Sequence, residues 1–380
     1  MARRGGAGRG ARGARGAGAR CRAQWVDVRP GLVALADPAG APGGALEGVF
    51  GGESRVLREG LAAELRERQA EEQLEALRGA GRFGATPAPV AAGSSPREAA
   101  AASAALREDG AVFLRGAVPR ALCTALAAQV DACCAQAIGE VGPGLRRIDW
   151  KVDLGAGAGG GGAGAGAGDG AGAGGGDGGG PGPGESGALV REALWHACGP
   201  GGVAEVLAGV PEASAAAQLV ELSVLCTEPG APRQLLHPDM VFAAGHAPLF
   251  TAFVALQDME PEMGPTTFLL GTHRDARLQR LRGLGSAGAD APDDALLREA
   301  RAVAPPLAAG DAVLYDARVL HAGGANRLRR RGLLTFSFLR PPIPSRPERH
   351  NANAAFSILP GVLARSLSAR DLAAAPGPAA

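Results

Sequence analysis

The sequence predicts an α+β fold with an antiparallel two-sheet barrel or jelly roll as its core and helices flanking it. Two observations carry that prediction. From Gln218 onward the chain runs as short apolar stretches separated by turn residues, the pattern of repeated antiparallel strands. Before Gln218 the periodicity is helical, so helices and strands occupy separate parts of the chain. A length of 380 residues suits one large domain with additions, and a hydrophobic content of 46%, much of it alanine, supplies its core.

Taken in order, residues 1–50 read as a disordered Arg/Gly-rich segment. Residues 1–24 hold seven arginines, and no acid occurs before Asp27. Three readings stay open there: a tail shaped by a G+C-rich coding sequence, an organelle-targeting segment, or an arm that neutralises nucleic-acid phosphates. Residues 51–94 read as a charged helix and linker. Glu and Arg crowd 54–78, and Leu57, Leu61 and Leu65 recur at i, i+4, i+8 before the stripe fails, which predicts a solvated helix.

Residues 95–372 read as the main domain. Ser95, Pro96, Arg97 and Glu98 have the form of a capping box with proline at the first helical position, opening an alanine-rich helix that Gly110 ends. A strand follows at 111–114. Pro119 then opens a helix with Leu122, Leu126, Ala127 and Val130 on one stripe, where Cys133 and Cys134 are packing residues. Residues 155–187, almost wholly Gly and Ala, have too little side chain to bury and read as a flexible insert, with helix resuming at Leu189. Strands are predicted at 219–226, 234–239, 249–257, 265–270, 312–315, 318–321 and 333–339. A helix and loop over 277–301 covers the barrel mouth, a short helix lies within 351–372, and 373–380 is a disordered tail.

Composition narrows the function classes. A net charge of +1 gives the whole chain no electrostatic case for nucleic acid or an anionic membrane. No apolar run approaches the roughly 18 residues of a membrane span. The six cysteines show no C-x-x-C spacing, which fits free thiols in a reducing compartment. The expectation is a cytoplasmic or organellar protein, not secreted.

The chemistry concentrates in 233–239, Arg-Gln-Leu-Leu-His-Pro-Asp, and in His321 far downstream. Residues two apart on an extended strand share a face, so His237 and Asp239 can aim at one metal ion. His321, at the end of a second apolar run, supplies a third ligand. Two histidines and one carboxylate with open positions opposite are the ligand set of non-haem Fe(II) oxygenases. Ten residues on, Arg331 opens the run 333–339, where a guanidinium pairs bidentately with the far carboxylate of a dicarboxylic co-substrate. Arg329 and Arg330 crowd the same place, so the choice among the three stays open. His196, His246, His273 and His350 read as structural, with His273 near the mouth as a possible substrate contact.

These stretches resemble the phytanoyl-CoA dioxygenase family of Fe(II)- and 2-oxoglutarate-dependent oxygenases, in particular its algal-type members. The resemblance runs through 109–116, 147–154, 229–239, 253–258, 264–273 and 310–331. It implies a double-stranded β-helix, the jelly-roll or cupin-like barrel, with Fe(II), 2-oxoglutarate and O2 as the reacting set. His237, Asp239 and His321 would hold the metal and Arg331 the co-substrate, and a small organic or acyl substrate would be hydroxylated with release of succinate and CO2. Related halogenases replace the carboxylate ligand by a small residue; Asp239 is present, which favours hydroxylation. The family often carries a hydroxyl residue two after the second histidine, where this chain has Gly323. A non-catalytic barrel that binds metal or ligand, and a metal-dependent cupin without co-substrate, are the competing readings.

Overall fold

The computed structural model describes residues 26–27, 52–92, 95–141, 146–151, 183–240, 247–275, 299–341 and 367–374. Expectations for the rest of the N-terminal segment, the insert as far as residue 182, the mouth cover over 277–298, the tail beyond residue 374, Cys21, His246 and His350 lie outside the described residues.

Strands β1 (Val26–Asp27), β2 (Val90–Ala91), β3 (Ala111–Arg115), β4 (Arg147–Lys151), β5 (Gln218–Thr227), β6 (Leu249–Ala255), β9 (Ala312–Asp316) and β11 (Arg331–Leu339) form one sheet. Their order across it is β1-β4-β5-β11-β6-β9-β3-β2. All pairs are antiparallel except β2 with β3. A smaller antiparallel sheet runs β10 (His321–Ala322), β7 (Thr267–Leu270), β8 (Arg301–Val303). The fold is the expected α+β jelly roll, with a large antiparallel sheet as its core.

Alternation along β11 explains the layering. Leu334, Phe336 and Phe338 join the core cluster beneath the helices, while Leu333 joins the cluster between the sheets. Two buried faces make this central strand almost continuously apolar, as its burial at every position requires. The inner cluster is aromatic, with Phe113, Phe253, Phe268 and Tyr315 packed edge-on or tilted around one another. The outer face is covered by α2 (Pro96–Asp109), α3 (Arg120–Val141), α4 (Pro183–Cys198), α5 (Val203–Ala208) and α6 (Ala369–Ala374).

Local chemistry sets the element ends. The capping box at the start of α2 is present: the Ser95 backbone N–H and hydroxyl both donate to Glu98 Oε2 at 2.8 Å. Gly110 ends the helix at φ 76°, and a Cβ there would collide with the His273 ring and the Val319 side chain. Gly110→Ala therefore combines left-handed strain with overlap, and the expected loss is about 2–3 kcal/mol of stability, read as a lower urea midpoint at unchanged slope.

Four expectations are corrected. Helix α4 begins at Pro183 rather than at Leu189, because proline is pre-organised for a first helical position. Helix α6 extends two residues into the expected tail, with Leu372 buried in the core. Residues 234–239 form no regular strand; His237 makes an isolated bridge to His321. Helix α1 (Gly52–Gly79) is not solvated throughout, since Ala70, Gln73, Leu74 and Leu77 are buried. They stand at i, i+3, i+4 and i+7, a helical stripe in which a glutamine replaces one apolar residue. Leu77 packs with Leu236, Leu269, Leu320 and Ala322 behind the smaller sheet.

Candidate metal centre

His237 and His321 face each other across that isolated bridge, joined by backbone hydrogen bonds in both directions at 3.0 and 2.9 Å. The bridge replaces a strand pair, and it brings residues 84 positions apart into register. His237 Nε2 lies 3.7 Å from Asp239 Oδ1 and His321 Nε2 lies 3.4 Å from Asp239 Oδ2. One ligand atom from each of the three residues falls within 4.8 Å of the others, and among the described residues this is the one such group of histidine, cysteine and acidic side chains.

Hydrogen bonds fix which nitrogen is free. His237 Nδ1 contacts the Leu235 carbonyl at 2.8 Å and His321 Nδ1 the Val319 carbonyl at 3.0 Å. A carbonyl only accepts, so each Nδ1 carries the hydrogen and each neutral ring offers its Nε2 lone pair toward the centre. Burial, then the neighbouring His321, pushes His237 down to about 4, so it stays neutral near pH 7. Burial also pulls on His321, but the Asp239 carboxylate beside it holds its pKa above the ordinary value. Burial opposes ionisation of Asp239; His321, His237 and the Tyr315 hydrogen bond outweigh it and keep the carboxyl below its usual range. Two imidazole nitrogens and an ionised carboxylate suit iron(II).

The surroundings hold these groups still. Tyr315, the chain's single tyrosine, donates to Asp239 Oδ2 at 2.6 Å, and Phe268 stacks on the His321 ring at 5.8 Å. Behind His237, Gln73 of α1 accepts the Leu236 N–H at 3.0 Å. Gln73→Leu strands that buried donor one residue from a ligand, with an expected cost of about 1–3 kcal/mol in a urea titration.

The three candidate arginines part company. Arg329 pairs with Glu260 at 3.0 Å on the exposed side, and Arg330 pairs with Glu228 and, at 2.8 Å, with Asp131. Arg331 is buried; its Nη2 donates to Thr227 Oγ1 at 3.2 Å, its Nη1 to the Met263 carbonyl at 3.4 Å, and its Nε meets no acceptor. Arg147, which the sequence placed in a shared stretch without a role, lies beside it and donates to the Pro232 carbonyl at 2.5 Å. Neither makes an ion pair among the described residues. Burial, then the Arg147 charge, lowers Arg331 to about 9, and burial lowers Arg147 to about 10. A buried guanidinium beside a half-buried one, with no counter-ion among the described residues, is a place for an anion.

Gly323 explains its own departure from the expected hydroxyl residue. A Cβ there would lie 2.6 Å from Gln234 Oε1, 3.2 Å from Arg147 Nη1 and 3.3 Å from Arg331 Nη2. Gln234 Oε1 accepts the Gly323 N–H at 2.9 Å and occupies the space a side chain would take. The two other described histidines sit in structural contacts: His273 is buried with Nε2 against the Arg107 carbonyl at 3.1 Å, and His196 packs against Trp195. Cys123, Cys134, Cys198 and Cys226 are free thiols.

An antiparallel jelly roll with an inward-facing His-Asp-His group defines a metal-site barrel. Residues 203–330 match the family model of phytanoyl-CoA dioxygenase (PhyH). The chain matches no curated protein. Among solved structures it is similar to the non-heme alpha ketoglutarate dependent epimerase SnoN from nogalamycin biosynthesis, at 21% identity over 64% of this chain and 84% of that one, TM-score 0.40. It is also similar to the carbocyclase SnoK of the same biosynthesis (18%, 63% and 83%, TM-score 0.41) and to AviO1 from Streptomyces viridochromogenes Tue57 (19%, 64% and 96%, TM-score 0.42). Among the described residues, no helix is long and apolar enough to cross a membrane.

Proposed function

We infer that the chain is an Fe(II)- and 2-oxoglutarate-dependent dioxygenase that hydroxylates a small organic or acyl substrate. The observation that carries this is the joint placement of the His237, Asp239 and His321 donors and, against Gly323 two residues beyond His321, of the buried Arg331 and half-buried Arg147 guanidiniums, which have no counter-ion among the described residues. His237, Asp239 and His321 are the metal ligands. Arg331 takes the distal carboxylate of the oxo acid, and Arg147 adds a second positive charge to the same pocket. When bound, iron(II) supplies the O2 chemistry, in which 2-oxoglutarate becomes succinate and CO2 and the substrate gains the other oxygen atom.

The chain's own residues do the rest. Thr227 and the Met263 carbonyl set the direction of the Arg331 fork, so the co-substrate anion meets a pre-oriented donor pair. Gln234 holds the Gly323 backbone clear of that space. Phe253, Phe268 and Tyr315 wall the barrel interior and keep bulk water from the reacting atoms.

Succinate release by the purified chain, with no substrate added, tests this reading. Uncoupled turnover that stops when either Fe(II) or 2-oxoglutarate is omitted is the expected result. Tight metal binding with no succinate would leave a non-catalytic barrel, and turnover of a substrate without 2-oxoglutarate would leave a cupin-type enzyme.

A further inference from the structure

Helix α1 lies outside the residues that match the family model, yet it reaches the backbone beside both histidines of the metal centre. Leu77 packs in one cluster with Leu236, Leu320 and Ala322, which stand immediately before His237, before His321 and after His321. One turn earlier, Gln73 brings a polar group into the same seam. Its Oε1 accepts the Leu236 N–H at 3.0 Å, and both residues are buried.

The Leu236 N–H belongs to the peptide group whose carbonyl is that of Leu235, and this carbonyl accepts from His237 Nδ1 at 2.8 Å. One peptide group therefore joins Gln73 to the ring: its N–H donates to Gln73, and its oxygen accepts from His237. The group is planar, so an acceptor that fixes the N–H also fixes where the carbonyl points. Each of the two hydrogen bonds polarises the group in favour of the other. On either side the loop is tied separately, the Gln234 N–H to the Gly323 carbonyl at 2.9 Å and the His237 N–H to the His321 carbonyl at 3.0 Å. Neither of those bonds fixes the plane of the peptide between them. Without Gln73 the buried Leu236 N–H would turn to find another acceptor, and the Leu235 carbonyl would turn away from the ring with it.

We propose that Gln73 is a positioning residue for the metal centre, setting the ring direction of His237 through the Leu235–Leu236 peptide group. This rests on the assignment of His237 as a metal ligand and gives a part in the centre to a helix that the family match does not include. Outer partners of metal-bound histidines act in this way, by fixing ring orientation and basicity.

Cobalt(II) titration of the full chain, followed by its visible d–d absorption, reads affinity and ligand geometry without turnover. Gln73→Leu keeps the bulk and removes the acceptor; it is expected to bind about tenfold or more weakly, with displaced bands. Gln73→Glu keeps an acceptor at the same reach and is expected to return toward wild-type affinity and bands. Val190→Ala, buried beneath the outer helices on α4, is expected to lower the urea midpoint while cobalt affinity and bands stay as in the wild type, which separates lost stability from lost ligand direction. If Gln73→Leu does not fold, Gln73→Met, of similar length, takes its place. Wild-type affinity and bands in the variant without the acceptor would overturn the proposal. So would a Gln73→Glu variant as weak as Gln73→Leu, or a Val190→Ala variant whose bands move as far. A wild-type chain that takes up no cobalt would overturn the metal site itself, and the proposal with it.

Discussion

Asp239→Ala is expected to cost more than about a hundredfold in metal affinity, beyond the usual range for outer partners of a metal ligand. Three losses coincide. The centre loses its carboxylate, so among the described residues a divalent ion would meet two neutral rings alone. His321 loses the carboxylate that holds its pKa up against burial, and Tyr315 loses the acceptor 2.6 Å away. A buried phenol without a partner costs about 1–3 kcal/mol, so the fold should weaken as well. Asp239→Asn separates these effects: it keeps an acceptor for Tyr315, and stability should largely return while metal affinity stays low. Cobalt titration and urea unfolding of the two variants, side by side, read the difference.

Replacing Arg331 should move function and stability in opposite directions. A truncated partner in a buried charge pair costs about 2–5 kcal/mol, which corresponds to a thirtyfold or greater rise in the apparent KM for 2-oxoglutarate in Arg331→Met. The same change removes a buried cation whose Nε lacks an acceptor and whose neighbour Arg147 repels it. The protein without co-substrate should therefore unfold at equal or higher urea concentration, because a buried charge with no ion-pair partner among the described residues is replaced by packed methylenes. Arg331→Lys keeps the charge and loses the planar fork that Thr227 and Met263 aim, so its KM should fall between the two. A KM unchanged in Arg331→Met would move the co-substrate contact to Arg147.

Much of the centre was legible in the chain because its parts are local. His237 and Asp239 stand two apart, His321 ends an apolar run, and Arg331 begins one. The structure brings the three donors together, and the burial of Arg331 separates it from Arg329 and Arg330. What could not be read depends on partners distant in sequence. Tyr315 meets Asp239 only through the pairing of β9 with its neighbours, though its being the single tyrosine, inside a strand, was a signal. Arg147 lay within a shared stretch, and nothing local told its charge from that of 37 other arginines and one lysine among 39 basic residues.

Local geometry also misled in two places. Residues 234–239 have the alternation of a strand, but Pro238 lacks an N–H and Gln234 and Leu236 spend their hydrogen bonds on Gly323 and on Gln73 of α1, so only the His237 bridge forms. In α1 the buried stripe includes Gln73, which an apolar pattern rejects. That glutamine is buried because it caps the Leu236 N–H, a contact 163 residues away.

Titrating the chain with Fe(II) under anaerobic conditions, with and without 2-oxoglutarate, tests the central claim most directly. One ion per chain is predicted, lost when His237, Asp239 or His321 becomes alanine, with 2-oxoglutarate binding that requires both the metal and Arg331. Fe(II) uptake that survives removal of both histidines, or 2-oxoglutarate binding indifferent to metal and to Arg331, would contradict it.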